Sequence, residues 1–170
     1  RVLFRSAELL IIKYKKLNGL DFDAELSVSA SNKDDFFRWT ITCNNRTDFA
    51  IEWLALPICT VPNDLIGNGG KSSIVYPFSE GILVEDASLR DRMGYKYHPV
   101  GYPSRGLEGL YPGSVCSPFM AYSSQEGGLY IGAHDPEFGS KTLEYRVEGS
   151  SVELEIRLFC GCGFGENFTL

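Results

Sequence analysis

The chain has 170 residues, of which 44% are hydrophobic, so it is long enough to bury a core and too apolar to be a disordered tail. Its 22 acidic and 16 basic residues give a net charge of −6, which disfavours non-specific binding to nucleic acid. No run of about 18 apolar residues is present, so the sequence predicts no transmembrane helix. The 18 glycines, nine tyrosines and eleven phenylalanines are typical of a soluble, turn-rich β protein.

The first residues do not read as part of a fold. Residues 1–6, Arg-Val-Leu-Phe-Arg-Ser, resemble the translation of a common sequencing-adapter oligonucleotide, and no initiator Met precedes them. The last residues break off in an apolar-polar run. We therefore exclude residues 1–6 from fold reasoning, and we interpret residues 7–170 as a single domain and as a fragment of a larger protein.

The first half of the chain alternates apolar and polar residues, which predicts strands with one buried face. A strand within 8–17 ends at the turn pair Asn18-Gly19, and residues 22–30 form the next strand. Residues 37–43 and 49–55 then predict a hairpin. Its two tryptophans, Trp39 and Trp53, are the expected anchors of a sheet core.

The middle of the chain is less regular. Residues 73–78 and 82–85 predict short strands, and residues 87–93 a single helical turn. Residues 94–113 are rich in glycine and proline, so we expect a long loop there. Long ordered loops are uncommon unless they serve a function or pack on a neighbour.

Two hairpins are predicted at the end of the chain, 115–122 with 128–134 and 141–148 with 151–159. In the second hairpin the alternation predicts that Glu155, and the residues on the same face of its strand, point outwards. Eight to ten antiparallel strands without a convincing helix predict an antiparallel β-sandwich.

His134 and Asp135 are weak catalytic candidates, together with His98. A carboxylate beside an imidazole can fix its tautomer for general acid–base chemistry. A turn that begins at Asp135-Pro136, with His134 as a local hydrogen-bond donor, explains the same residues. Adjacent residues of a strand also point to opposite faces, so the structural interpretation is favoured.

A tyrosine-rich loop is the segment most suggestive of function. Tyrosine rings are flat surfaces on which sugars stack, and nearby histidine and arginine side chains bind hydroxyls. The alternative, favoured for an incomplete chain, is a loop buried against a neighbouring domain. The candidate contact residues, for either carbohydrate or an interface, are Tyr95, Tyr97, His98, Tyr102, Arg105 and Tyr111.

Other chemistry has little support in the sequence. Acidic residues in the middle and C-terminal loops do not reveal which of them face each other, so none is nominated for glycoside cleavage. Cys160-Gly161-Cys162 lacks the paired spacing of a zinc site. The sequence therefore predicts no metal site and no cofactor.

Three motifs carry a family resemblance: Leu110-Tyr111-Pro112-Gly113, Phe119-Met120-Ala121-Tyr122, and the run from Gly128 to Glu137. Together they resemble the N-terminal β-supersandwich of a family of large, poorly characterised bacterial glycoside-hydrolase-like proteins. The resemblance implies a galactose-mutarotase-like fold that precedes a (β/α)₈ barrel. That barrel, the implied partner within the same chain, would carry the catalytic acids. The Cys160-Gly161-Cys162-Gly163 segment departs from the family pattern.

Three interpretations follow. The first is an accessory supersandwich of a glycoside hydrolase, which supports or shapes the carbohydrate site of the barrel. The second is a stand-alone sugar epimerase of the mutarotase type that uses His98 and His134. The third is a non-catalytic sandwich that binds carbohydrate or protein.

Overall fold

The computed structural model describes residues 2–5, 8–31, 34–62, 72–85, 106–135, 139–148 and 150–169. The described residues form thirteen strands and one short 3-10 turn, Leu17–Gly19, so the predicted all-β, antiparallel class is confirmed. No helix among them is long and apolar enough to cross a membrane. The chain divides into two compact units: unit 1 comprises Arg1–Leu54 and Cys160–Leu170, and unit 2 comprises Ala55–Phe159. The interpretation of residues 7–170 as one domain stays a prediction.

Unit 1 contains a five-stranded antiparallel sheet in the order β1-β2-β3-β4-β13. Its strands are β1 (Val2–Arg5), β2 (Leu9–Tyr14), β3 (Phe22–Ser31), β4 (Asp34–Asn45) and β13 (Asn167–Thr169). Period-two alternation correctly predicts β2 and β3. Strand β1 pairs with β2, although it lies within the residues that the sequence analysis sets aside.

The predicted hairpin around Trp39 and Trp53 is wrong. Strand β4 lies between β3 and β13, whereas the strand that contains Trp53 belongs to another sheet. The two tryptophans are 43% and 45% exposed, so neither anchors a core. Alternation identifies the residues that share a face but not the neighbouring strand. The far end of the chain supplies that neighbour, because Phe168 pairs with Cys43.

The end of β4 is fixed by the buried side chain of Asn45. Its Nδ2 donates hydrogen bonds to the carbonyls of Phe49 (2.8 Å) and Gly163 (3.1 Å). Its Oδ1 accepts hydrogen bonds from the backbone N–H (3.1 Å) and the hydroxyl (2.6 Å) of Thr47. One buried amide therefore satisfies the turn after β4 and holds it against the segment that leads into β13.

Unit 2 contains two four-stranded antiparallel sheets, in the orders β10-β9-β6-β7 and β5-β12-β11-β8. The first residues of β5 and the last residues of β12 belong to unit 1. The strands of the first are β6 (Ser73–Tyr76), β7 (Ile82–Glu85), β9 (Phe119–Ser123) and β10 (Gly128–Gly132). The strands of the second are β5 (Ile51–Pro62), β8 (Gly106–Tyr111), β11 (Lys141–Glu148) and β12 (Ser151–Cys162). Both predicted C-terminal hairpins are confirmed, β9 with β10 and β11 with β12.

The core of unit 2 lies between these two sheets. Buried residues of both sheets form one apolar cluster, in which Ile74, Met120, Leu143 and Ile156 are fully buried. The hydroxyl of Tyr76, on one sheet, donates a hydrogen bond of 2.8 Å to the carbonyl of Leu143, on the other. Two sheets that share one core make unit 2 a β-sandwich, as the sequence predicts.

The prediction of a loop over 94–113 is wrong for its last third, because Gly106–Tyr111 forms strand β8 along the edge of β11. Two of the glycines that suggested a loop, Gly106 and Gly109, are sites of close approach. A Cβ atom at Gly106 would lie 1.8 Å from the carbonyl oxygen of Tyr145, and one at Gly109 would lie 2.3 Å from the side chain of Val115. Composition alone does not distinguish such glycines from turn glycines.

Candidate functional site

The outer face of the sheet β10-β9-β6-β7 carries a cluster of three rings. They belong to Phe119, Tyr130 and His134, and we call them the aromatic surface. Their position follows from the pleat: Met120 and Ile131 point into the core, so Phe119 and Tyr130 point outwards. The ring centroids of Phe119 and Tyr130 are 5.2 Å apart, with planes 25° from parallel. Tyr130 is 42% exposed and His134 is also exposed, so ring surface is available to a ligand.

The pairing of Tyr130 with His134 depends on the glycine between them. Gly132 lies on the same side of the chain as both residues. A Cβ atom there would come within 2.7 Å of His134 Nε2 and 2.8 Å of the Tyr130 hydroxyl. Because glycine has no such atom, the two side chains lean over it and meet. The local pattern Tyr-x-Gly-x-His thus creates the pair.

The rings of Tyr130 and His134 lie parallel to each other. Their planes are within 3° of parallel, and their centroids are 5.8 Å apart. The Tyr130 hydroxyl is hydrogen-bonded to His134 Nε2. This bond and the parallel rings hold the two side chains in one arrangement.

The hydrogen bond also determines what the histidine offers to a ligand. Burial raises the pKa of Tyr130, so its hydroxyl stays protonated at neutral pH. The hydroxyl donates to Nε2 in one tautomer of the imidazole and accepts from it in the other. In both cases the pair presents ring surface together with the polar Nδ1 atom of His134.

A buried ion pair follows strand β10. The Nζ atom of Lys141 is bonded to Asp135 Oδ2, and the lysine side chain is 2% exposed. Lys141 points inwards because it lies two residues before the buried Leu143, on the same face of β11, and its Nζ lies 5.3 Å from the ring centroid of Tyr111. Asp135 Oδ1 accepts a hydrogen bond of 2.9 Å from the N–H of Gly139. The pair therefore ties the β10–β11 connection to the core and leaves the lysine too enclosed to act as a nucleophile.

Two of the predicted site residues have different hydrogen-bond partners. His134 is bonded to Tyr130, whereas Asp135 is bonded to Lys141 and Gly139. Tyr111 lies beside Lys141, and its contact is with the buried ammonium. The other candidates lie outside the described residues: Tyr95, Tyr97, His98, Tyr102 and Arg105.

Sequence reasoning overlooked Phe119, Tyr130 and Lys141. The signal for Tyr130 was present in the run Tyr130-Ile131-Gly132-Ala133-His134, in which two ring residues flank a glycine at strand spacing. No comparable signal marked Lys141, since a lysine at the start of a strand is ordinarily exposed.

Carboxylates do face one another in unit 2, on the outer side of the sheet β5-β12-β11-β8. Glu144 of β11 pairs in register with Glu108 on one side and Glu155 on the other. Arg157 is ion-paired with all three, at 2.8 Å from Glu108, 2.6 Å from Glu144 and 2.5 Å from Glu155. Burial raises the pKa of Glu144, while Arg146 and Arg157 oppose that shift. The predicted outward direction of Glu155 is correct, but its side chain is buried in this network, which cross-links three strands.

The cysteines do not indicate a metal centre. All five are free thiols, and no three potential ligands converge on a metal-sized site among the described residues. Cys160 Sγ lies 3.3 Å from the Ile51 carbonyl oxygen and Cys162 Sγ lies 3.5 Å from that of Glu166. Burial raises the pKa of Cys43 to about 12, so that thiol stays protonated. The three thiols near β13 are packing groups.

No protein-family model, curated protein or solved structure matches this chain.

Proposed function

We propose that the chain is a non-catalytic, carbohydrate-binding accessory domain of a glycoside hydrolase, and that the aromatic surface of unit 2 holds the carbohydrate. The observation that carries the proposal is the parallel, exposed pair of rings of Tyr130 and His134. Nothing in the fold of a sandwich requires two rings to be aligned over a glycine on its outer face. A ligand with a flat apolar side would pack against the aligned rings, which explains their arrangement.

Sugars have the complementary chemistry. A pyranose ring presents C–H groups on its faces and hydroxyls around its edge. The face of an aromatic ring is electron-rich and attracts the partly positive hydrogens of C–H groups. A polar atom at the rim of the aromatic surface, such as Nδ1 of His134, can fix the orientation of a hydroxyl, either as donor or as acceptor.

The family resemblance supports the accessory role. The motifs within 110–137 that resemble a β-supersandwich include all three residues of the aromatic surface. In such proteins the galactose-mutarotase-like domain precedes the catalytic barrel. The carboxylates described above are engaged by arginine, which also favours a role in binding over one in catalysis.

The test is direct binding to polysaccharides. The purified chain is titrated with a panel of soluble glucans, mannans, xylans and galactans in native affinity electrophoresis. We expect retardation by at least one of them, and we expect Tyr130→Ala to weaken that interaction about tenfold or more. Phe164→Ala removes an exposed ring of unit 1 and is the matched control, expected to behave as the parent chain. Absence of binding across the panel, or equal binding by Tyr130→Ala, would overturn the proposal.

Gly132→Ala provides a second variant that keeps both rings. Its added methyl group forces the Tyr130 and His134 side chains apart and disrupts their parallel arrangement. We expect its loss of binding to be comparable to that of Tyr130→Ala. Unchanged binding in this variant would show that the parallel arrangement has no part in recognition.

A stand-alone epimerase is the second candidate, because the Tyr130–His134 hydrogen bond joins two groups that can exchange a proton. Its test follows the interconversion of galactose and glucose anomers by polarimetry. The epimerase interpretation requires activity that His134→Ala or His98→Ala abolishes. Rates equal to the uncatalysed reaction eliminate it and leave the binding proposal intact.

A further inference from the structure

The outer face of the sheet β10-β9-β6-β7 is organised in rows that cross all four strands. The strand registers place one residue from each strand side by side in every row. The apolar row consists of Leu83, Val75, Ala121 and Tyr130. The next row in register, two residues along each strand, is the polar row of Glu85, Ser73, Ser123 and Gly128. The apolar row therefore ends at the aromatic surface and has hydroxyl and carboxylate groups along one side.

The dimensions of these rows suit a chain molecule. Neighbouring strands are about 4.8 Å apart, so four residues in a row span about 14 Å. Residues two apart on one strand are about 7 Å apart, which sets the spacing of the two rows. A sugar unit in an extended chain is similar in length to one strand spacing. The apolar row thus has room for about three sugar rings, each with an edge towards the polar row.

The charge of this face restricts the ligand further. Its described strands and turns, residues 72–85 and 119–135, contain no lysine or arginine. Three exposed carboxylates lie there, on Glu80, Glu85 and Glu126. Uronate-containing polysaccharides and sulfated glycans would be repelled by these groups.

We propose that this face binds a linear, uncharged oligosaccharide of three or more units, which lies across the four strands with its ring faces on the apolar row and its hydroxyls on the polar row. This inference rests on the proposed function and specifies its ligand. The length of the ligand depends on Leu83, Val75 and Ala121 as well as on Tyr130, and its neutrality depends on residues outside the Tyr130–His134 pair. Both properties can therefore fail while the proposed function stands.

The experiment is isothermal titration of the chain with cello-, manno-, xylo- and malto-oligosaccharides of one to six units. In the series that binds, we expect affinity to rise about tenfold per added unit up to three units and to change little beyond four. Equal affinity for one unit and for six, with Tyr130→Ala still abolishing binding, would overturn the inference alone. Absence of binding in every series would overturn the proposed function with it.

Variants of the polar row test the orientation. Ser73→Ala and Ser123→Ala each remove one hydroxyl and should weaken binding of the trisaccharide about fivefold. Ser27→Ala removes a hydroxyl from β3 of unit 1 and is the control, with no expected change. Oligogalacturonides should not bind the parent chain. Binding of oligogalacturonides as tight as that of neutral chains, or unchanged affinity in both serine variants, would contradict the proposed arrangement.

Discussion

Removal of the charge on Asp135 should strongly destabilise unit 2. The variant Asp135→Asn keeps Oδ1, which accepts the hydrogen bond from Gly139, and replaces only the oxygen that faces Lys141. The Lys141 ammonium, whose side chain is 2% exposed, then has no counter-charge from Asp135. Breaking a buried pair in this way costs about 3–5 kcal/mol of unfolding free energy.

That cost is a large part of the stability of a domain, which is about 5–15 kcal/mol in total. Lys141→Met is the matched comparison, because methionine fills the space of the lysine stem and leaves only Asp135, which is 17% exposed and reaches water. We expect Lys141→Met to cost about 1–2 kcal/mol. The double variant should be more stable than Asp135→Asn alone, since no buried ammonium remains.

The assay must report on unit 2 alone. Both tryptophans, Trp39 and Trp53, lie in unit 1, so their fluorescence is not suitable. Hydrogen exchange of the Leu143 and Leu154 amides, in the two central strands of the core, measures opening of unit 2 directly. Asp135→Asn should reduce their protection by about two to four orders of magnitude. A reduction below tenfold, or a double variant less stable than Asp135→Asn, would refute the assignment of a buried, essential ion pair.

Three further predictions concern single side chains. Tyr76→Phe removes the hydroxyl that donates to the Leu143 carbonyl and should lower the unfolding free energy by about 1–2 kcal/mol in the same exchange assay; no change would mean that the bond is not formed. Thr142→Val should raise the unfolding free energy by about 1 kcal/mol, because the buried Thr142 hydroxyl has no hydrogen-bond partner among the described residues. A decrease in the unfolding free energy would contradict this prediction. The backbone N–H of Lys16, and then Arg46, lower the pKa of Asp23 from 3.8, so its stabilising contribution is present above that value and is lost as pH falls through the lowered pKa. Asp23→Asn should therefore destabilise unit 1 in tryptophan-monitored urea unfolding at pH 7 and have no effect near pH 2. An equal difference in unfolding free energy between variant and parent at both pH values would contradict this prediction.

The strands could be predicted from the sequence, but their neighbours only in part. Alternation located β3, β11 and β12, and short turns such as Gly149-Ser150 identified the hairpins, because both signals are local. The placement of β13 beside β4 joins residues more than 120 positions apart, as Phe168 and Cys43 show, and no local pattern encodes it. Gly106 was predicted to lie in a loop but lies in a strand. A residue without a side chain permits close packing of neighbouring strands as well as tight turns, and composition does not distinguish the two.

The candidate site was predictable in one respect. His134 was identified as a candidate, but its hydrogen-bond partner Tyr130 was not. Tyr130 lies four residues away, and the contact requires the glycine between them. The role of Lys141 could not be predicted, because it depends on which residues face this side chain in the folded protein. Spacing along the chain does not contain that information.

The measurement that tests the central claim most directly is nuclear magnetic resonance mapping of a bound sugar. The ¹⁵N-labelled chain is titrated with the hexasaccharide of the series that binds, and backbone amide shifts are followed at each step. The account predicts that the largest shifts cluster on β9 and β10, around Phe119, Tyr130 and His134, and that Tyr130→Ala removes them. Shifts centred on unit 1, or on the outer side of the sheet that carries Glu144, would contradict it.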